Sequence, residues 1–142
     1  MTAQQGNVLI ETNAREVSEV LLQVAQLAQW NPALASIAGS ATARVGEAHP
    51  IRARGGLSGH FQYDVINPDC IESSWAVPGF RETNRWQLHP AADQSTVVTH
   101  GFAQSGPLAV LARRSTGRVA ELRLARLKTR VEARTDQNDV LA

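Results

Sequence analysis

The C-terminal part of the chain changes abruptly from a strand pattern to a helix pattern, and this change most constrains the fold. Residues 95–102 read Ser-Thr-Val-Val-Thr-His-Gly-Phe, a run rich in the β-branched residues typical of a strand. A break follows at Ser105-Gly106-Pro107, and helical spacing then extends to about Arg134. Proline is tolerated in a first helical turn because its missing amide goes unused there. We therefore predict a final strand followed by one long C-terminal helix, with a bend at Ser115-Thr116-Gly117, which are poor interior helix residues. Its apolar positions form two stripes: Leu108, Leu111, Ala112, Ser115, Val119 and Leu122 in one, and Ala120, Leu124, Leu127 and Val131 in the other.

The region before this helix is predicted to form one antiparallel sheet. Runs of β-branched and aromatic residues alternate with turn residues from Ile37 onward. Asn67-Pro68-Asp69 suits a reverse turn that joins residues 61–66 and 71–77 as a hairpin, since proline presets the first central position. The strand patterns on either side of Pro90 are expected to pair in the same way. Strands joined by short turns form a meander, so the sheet should be antiparallel throughout.

Two short helices are predicted between the first strand and the rest of the sheet. Val8-Leu9-Ile10 is a short apolar strand, and Thr12-Asn13 supply side-chain oxygens that cap a following helix. Apolar residues recur at helical spacing from Val17 to Val24. The second helix should end at Trp30-Asn31-Pro32, because the residue before proline is pushed out of the helical region. A curved sheet wrapped on a single long helix would enclose a hollow.

Composition excludes several classes of protein. The 142 residues suit one domain, 1–142, with a frayed tail from about residue 135 to 142. A content of 43% apolar and 19% charged residues is typical of a globular chain and excludes a disordered or fibrous one. No apolar run approaches the ~20 residues of a membrane-spanning helix, and the N-terminus lacks a secretory signal pattern. We expect a cytoplasmic monomer without integral membrane association, in which the lone Cys70 forms no internal disulfide.

Charge is nearly balanced overall but concentrated in the C-terminal helix. The formal net charge is +1, so nucleic acid is not an expected partner. Residues 113–134 nevertheless contain eight basic residues and two acidic ones. A solvated helix face accounts for this excess, whereas an interaction module would use the same arginines to dock on an acidic partner or an anionic surface.

Alternation along the strands predicts which side chains face the interior. The residues assigned to the inner face are Phe61, Tyr63, Val65, Ile71, Ser73, Trp75, Val77, Asn84, Trp86, Leu88, Val98, His100 and Phe102. Its aromatic residues form either the wall of a pocket or ordinary core packing. Polar groups at Ser73 and Asn84, and at Ser115 on the helix, would each cost ~1–3 kcal/mol if buried without a partner. They therefore predict water or ligand inside.

The order of these parts resembles the START and Bet v 1-type superfamily, and within it the bacterial polyketide cyclase/dehydrase-like group. The similarity covers nearly the whole chain and includes Trp30-Asn31-Pro32, Trp86-Gln87-Leu88, Gly106-Pro107-Leu108 and the helix end Leu124-Ala125-Arg126-Leu127-Lys128. The resemblance implies an α+β helix-grip (Bet v 1-like) fold: a curved seven-stranded antiparallel sheet around a long C-terminal helix. It also implies a cavity for a hydrophobic small molecule. Since the family combines carriers and enzymes, the fold does not select the function.

His100 is the candidate catalytic residue, because its position on the inner face would let an imidazole exchange a proton or orient a ligand. The alternative is a structural histidine that bonds to a buried carbonyl or serine. His49, His60 and His89 fall near turns or on the outer face. We expect no metal site and no cofactor, since no histidine pair has ligand spacing and no nucleophile motif or phosphate loop occurs.

The principal hypothesis is binding of a lipid, quinone, isoprenoid or aromatic polyketide-like molecule between sheet and helix. A polyketide cyclase/dehydrase-type enzyme using the same cavity is the first alternative, and an interaction module using the Arg-rich helix is the second. The predicted ligand-binding residues are Tyr63, Ser73, Trp75, Asn84, Trp86, His100, Phe102, Leu111 and Ser115.

Overall fold

A curled antiparallel sheet of seven strands forms the body of the protein. The computed structural model describes the backbone of residues 2–39, 42–112 and 118–141, and the side chains of residues 3–39, 42–109 and 118–136. The strands are β1 (Thr2–Ile10), β2 (Leu34–Ile37), β3 (His49–Ala53), β4 (Ser58–Asn67), β5 (Cys70–Val77), β6 (Phe80–Ala91) and β7 (Ser95–Ser105).

The strand order is β1-β7-β6-β5-β4-β3-β2, and every pairing between these strands is antiparallel. The meander expected from the turn residues is confirmed, including the hairpins β4–β5 and β6–β7. β1 pairs with β7, so β1 and β2 form opposite edges of the sheet. The chain therefore crosses from one edge to the other between Ile10 and Leu34, through the predicted short helices.

Helices α1 (Ala14–Leu21) and α2 (Leu27–Trp30) make this crossing, with a 3-10 turn at Val24–Gln26 between them. The Asn13 side chain caps α1 by accepting a hydrogen bond from the backbone N–H of Glu16 at 3.0 Å. α2 ends at Trp30 as predicted, immediately before Asn31-Pro32.

A bulge in β4 corrects one inward assignment. The register between β4 and β5 shifts between Tyr63 and Val65, which places Ile66 opposite the inward-facing Ile71. An extra residue in one strand reverses the alternation beyond it, so Val65 is only half-buried. The other predicted inner-face residues are buried.

The C-terminal helical region differs from its prediction in two ways. It consists of α3 (Pro107–Ala112) and α4 (Val119–Leu141), and the bend expected at Ser115-Thr116-Gly117 lies outside the described residues. The predicted end near Arg134 is wrong, since α4 continues to Leu141, and the fraying of the tail from about residue 135 stays a prediction. Residues 135–141 contain no Gly or Pro to stop the helix, and Arg134 forms ion pairs with Glu16 and Glu19 on α1.

One face of α4 packs against the sheet and α1. The predicted stripe of Ala120, Leu124, Leu127 and Val131 is buried. The other predicted stripe is wrong at Leu122, which is 43% exposed. Within the described residues, no helix is long and apolar enough to cross a membrane.

Candidate binding site between the sheet and α4

The inner faces of β6 and β7 bring three pairs of residues of the site into register. Asn84 lies opposite Phe102, and Trp86 lies opposite His100. The same alternation continues toward the far end of the strands, where Glu82 lies opposite Gln104. All these side chains are buried, so a carboxylate and two amides face the interior of the protein.

A buried ion pair joins this sheet face to α4. Arg123 Nη1 donates to Glu82 Oε1 at 2.7 Å, and Arg123 Nη2 donates to Glu82 Oε2 at 3.1 Å. The side chains of Arg123 and Glu82 are only 2% and 1% exposed. This two-bond geometry suits the planar guanidinium, which presents a fork of N–H donors to both carboxylate oxygens.

Neutral side chains complete what we call the buried polar cluster, defined as Trp75, Glu82, Asn84, Gln104 and Arg123. Trp75 Nε1 donates to Glu82 Oε1 at 3.0 Å, and Gln104 Nε2 donates to Glu82 Oε2 at 2.8 Å. Arg123 Nη1 also donates to Asn84 Oδ1 at 3.0 Å. Two buried atoms of this cluster, Arg123 Nε and Gln104 Oε1, have no hydrogen-bond partner among the described residues. The cluster therefore retains one free donor and one free acceptor.

Aromatic rings surround the cationic end of the cluster. Arg123 Cζ lies 4.7 Å from the centroid of the Phe102 ring, which allows a cation–π interaction. His100 stacks on Trp86 with ring centroids 3.7 Å apart. The charge of Arg123 is thus held between one carboxylate and apolar rings.

His100 has both ring nitrogens in contact with fixed groups. Nδ1 lies 3.2 Å from the carbonyl oxygen of Arg85, and Nε2 lies 3.5 Å from Arg123 Nη1. Since the guanidinium only donates, Nε2 accepts and Nδ1 carries the proton. Burial lowers the pKa of His100 from 6.5 to about 3; the positive charge of Arg123 also lowers it, while the bond to the Arg85 carbonyl opposes the shift. The imidazole is neutral near pH 7 and is not poised to shuttle a proton.

A small cavity lies next to the cluster, with a volume of about 10 Å³. Its lining residues are Leu21, Leu27, Trp30, Asn31, Phe61, Tyr63, Ile71, Ser73, Asn84 and Trp86. This volume holds about one water molecule. The hollow expected from the sequence is therefore nearly filled at this point, because the large side chains of Trp30 and Trp86 meet edge to face at 5.7 Å across the interior.

The predicted ligand-binding residues fall into three groups. Tyr63, Ser73, Asn84 and Trp86 line the small cavity. Trp75 and Asn84 belong to the buried polar cluster, and His100 and Phe102 contact its arginine. Leu111 and Ser115 lie outside the residues whose side chains the structure describes.

Tyr63 anchors the cavity to α1. Its hydroxyl donates to the carbonyl oxygen of Leu21 at 2.6 Å, and burial raises the pKa of the phenol above its ordinary value. The phenol therefore stays protonated and keeps this hydrogen bond over the whole pH range in which proteins are usually studied.

Sequence reasoning did not identify Arg123 or Gln104 as residues of the site. Glu82 continues the alternation of Asn84, Trp86 and Leu88, and Arg123 falls on the same helix face as Ala120, Leu124 and Leu127. The sequence therefore contained a usable signal: a charged residue at an inward-facing position of both β6 and α4. The placement of His49 is a further correction, since this histidine is buried.

Most of the described basic side chains on α4 have partners within the chain. Lys128 bonds to Glu132 and to the carbonyl oxygen of Leu9, and Arg130 bonds to Gln26. Arg123 lies in the interior and is therefore an exception to the interpretation of this excess as a solvated helix face, whereas Arg126 is exposed. Arg113 and Arg114 lie outside the described residues.

Groups of three or more His, Cys, Asp or Glu side chains suited to a metal ion do not occur among the described residues. The polar groups described above at this site include the buried polar cluster, His100, Ser73 and the Tyr63 hydroxyl. These groups can orient and hydrogen-bond a small molecule, and they supply no nucleophile with an adjacent base.

Comparison with known proteins finds a matching family and several solved structures with a similar fold. A family described as polyketide cyclase / dehydrase and lipid transport matches residues 1–132. A START superfamily protein from Mycobacterium smegmatis has a similar structure, with 19% identity, a TM-score of 0.72, and coverage of 92% of this chain and 97% of that one. No match is found among curated protein sequences.

Two other solved structures show the same fold. A protein from Mesorhizobium loti aligns with a TM-score of 0.74 and 15% identity over 94% of this chain and 98% of its own. The di-domain ARO/CYC BexL from the BE-7585A biosynthetic pathway aligns with a TM-score of 0.70 and 20% identity over 93% of this chain and 47% of its own. At these identities the similarity establishes the helix-grip fold.

Proposed function

Because the chain belongs to the polyketide cyclase / dehydrase and lipid transport family, we propose that it binds a hydrophobic small molecule between its sheet and α4. The ligand is a lipid, quinone, isoprenoid or aromatic polyketide-like molecule with at least one polar group. In this proposal residues 1–142 act as one ligand-binding domain, and the buried polar cluster holds the polar group of the ligand.

The observation that carries this proposal is the ion pair between Glu82 and Arg123 in the middle of the interior. A buried pair gains little stability over well-packed apolar side chains of the same volume, because removing two charges from water costs several kcal/mol per ion. A chain that needed only a stable core would do as well with apolar residues there. The free Nε of Arg123 and the free Oε1 of Gln104 provide a donor and an acceptor for a ligand.

Asn84 connects the buried polar cluster to the small cavity. Its Oδ1 accepts from Arg123, and the residue also lines the cavity together with Tyr63 and Trp86. A ligand extending from the cavity would therefore meet polar groups at one end and aromatic surface along its length, which is the usual makeup of a small-molecule site.

Binding requires the interior to open. Pockets for drug-sized ligands measure roughly 300–1,000 Å³, whereas the cavity beside Asn84 has about 10 Å³. In this proposal the structure is a closed state, and aromatic side chains occupy the space that the ligand takes in the open state. A ligand that binds the open state better shifts the population toward it.

The enzyme alternative receives less support from the geometry. His100 was the candidate proton shuttle, but its lowered pKa and its two fixed contacts keep it neutral and oriented. Its role is to position Arg123 and to extend the aromatic wall. Binding therefore accounts for more of the site than catalysis does.

The test is a ligand screen followed by NMR of the tryptophan indole signals. Decanoate, a short-chain quinone, farnesol and a planar aromatic polyketide are added separately to labelled protein, to wild type and to Asn84→Leu. We expect at least one compound to shift the indole signals of Trp75 and Trp86, and Asn84→Leu to weaken that shift. Arg81→Gln on the outer face is the control and should leave it unchanged. No indole shift with any compound would overturn the proposal.

A further inference from the structure

An open groove of about 480 Å³ lies between α2 and α4 on the outside of the protein. Its lining includes Gln29 and Trp30 from α2 and Arg126, Thr129, Arg130 and Ala133 from α4. The groove is distinct from the buried polar cluster, and it is open to solvent along Arg126, Thr129 and Ala133, which are exposed.

Trp30 is the wall that the groove shares with the internal cavity. The same residue lines both spaces and is only 4% exposed. Its indole Nε1 is buried and has no hydrogen-bond partner among the described residues. Since buried tryptophan N–H groups usually find a partner, this orphaned donor marks a position where a ligand atom or water can bind.

Behind Trp30, aromatic rings continue to the buried polar cluster. Trp30 meets Trp86 edge to face at 5.7 Å, and Trp86 stacks on His100 at 3.7 Å. His100 in turn lies 3.5 Å from Arg123. An apolar chain that displaced the Trp30 ring would therefore run along aromatic surface from the groove to Asn84 and Arg123.

The rim of the groove is cationic. Arg126 is exposed and makes no ion pair or hydrogen bond with the described residues, and Arg130 bonds only to the neutral Gln26. No acidic side chain is found among the described residues that line the groove. Two uncompensated guanidinium groups at one rim attract a carboxylate or a phosphate.

We propose that this groove admits an anionic amphiphile, with its carboxylate or phosphate between Arg126 and Arg130 and its apolar chain passing Trp30 into the interior, where a second polar group farther along the chain meets the buried polar cluster. The inference rests on the proposed function and adds a ligand charge and a route. The Trp30 side chain is the gate, and the bond between Arg130 and Gln26 holds α4 to the helical crossing while the gate is closed.

The first measurement compares an anionic probe with its neutral analogue. A naturally fluorescent polyene fatty acid and the corresponding alcohol are titrated against wild type, Arg126→Gln and the control Arg81→Gln. Loss of one surface charge should weaken binding of the acid by about three- to tenfold and leave the alcohol unchanged. Equal affinity of the acid and the alcohol in all three proteins overturns the anionic assignment while the proposed function stands. Failure of both probes to bind overturns the proposed function itself.

The second measurement tests the route without disturbing the core. Ala133→Trp fills the groove at an exposed position, and Ala92→Trp adds the same ring at the exposed β6–β7 turn. Association of the probe is followed by its fluorescence in a stopped-flow instrument. Ala133→Trp should slow this association about tenfold, which corresponds to ~1.4 kcal/mol of added barrier. Trp30→Phe should speed association. Equal rates in Ala133→Trp, Ala92→Trp and wild type would place the route elsewhere and overturn this part of the proposal.

The third measurement identifies the source of the anionic group by varying the form in which the acid is offered to the protein. The acid is offered in solution and within vesicles of phosphatidylglycerol or phosphatidylcholine. Uptake from solution that depends on Arg126 identifies a free amphiphile, and Arg126-dependent uptake only from phosphatidylglycerol vesicles identifies a membrane lipid. Uptake from every source without dependence on Arg126 contradicts the role of the cationic rim.

Discussion

The inner face of α4 has two parts that obey different rules. Toward its C-terminus, Leu127 and Val131 are completely buried in a cluster of apolar residues that includes Ile10, Val17 and Val98. One turn before Leu127, Arg123 is equally buried but faces Glu82. The apolar part stabilises the fold by removing surface from water, at about 25 cal/mol per Å². The polar part gains little from its burial, and for this reason we propose that it is kept for binding.

This contrast sets the first prediction, which carries the largest expected effect. Arg123→Met removes one partner and leaves Glu82 as an uncompensated buried charge, so the free energy of unfolding should fall by roughly 3–5 kcal/mol. Leu127→Ala is the comparison in the apolar part, with an expected loss of roughly 2–5 kcal/mol from lost contacts and the cavity that remains. Urea denaturation followed by circular dichroism measures both.

The two variants should respond differently to a second substitution at Glu82. Glu82→Gln removes the uncompensated charge, so it should recover most of the loss caused by Arg123→Met, whereas in Leu127→Ala it should add a further loss because it leaves Arg123 unpaired. An Arg123→Met variant that is equally unstable with and without Glu82→Gln would show that the pair does not behave as a buried ion pair.

His100 gives the second prediction. Its folded pKa of about 3 lies below the ordinary value of 6.5, so between these values the unfolded state binds the extra proton. The free energy of unfolding should therefore fall as pH drops from about 6.5 toward 3, by at most about 1.4 kcal/mol per pH unit from this group. His100→Gln should flatten this slope relative to wild type. Parallel slopes in the two proteins would contradict a buried, neutral imidazole.

Tyr63 gives the third and smallest prediction. Tyr63→Phe removes the hydrogen bond to the Leu21 carbonyl and should cost about 1 kcal/mol, since a typical intramolecular hydrogen bond contributes that much. The residue also lines the cavity, so the phenylalanine variant should still bind an apolar ligand. A loss of ligand binding at unchanged stability would give the hydroxyl a direct role in the site.

Alternation of side chains predicted much of the fold and part of the site. Asn84, Trp86, His100 and Phe102 face inward because neighbouring side chains of a strand point to opposite faces. Turn residues at Asn67-Pro68-Asp69 set the pairing of β4 with β5. These features depend on local chemistry, which the sequence contains directly.

The remaining features depend on contacts between distant segments. Glu82 and Arg123 are separated by 41 positions, and no local pattern fixes the rotation of α4 that brings them together. The bulge after Tyr63 depends on how β4 is paired rather than on its own composition. The volume left inside is set by the fit of Trp30 against Trp86, which is a property of packing and not of residue type.

The most direct test of the account is the double variant Glu82→Gln with Arg123→Met, measured for stability and for binding of a polyene fatty acid that carries a hydroxyl group at its far end. Removing both charges while keeping an acceptor for Trp75 and Gln104 should restore the free energy of unfolding to within about 1 kcal/mol of wild type or above it. Affinity for the acid should nevertheless fall at least about tenfold, or ~1.4 kcal/mol. A double variant that is as unstable as Arg123→Met and binds the acid as wild type does would contradict the claim that the pair is kept for binding.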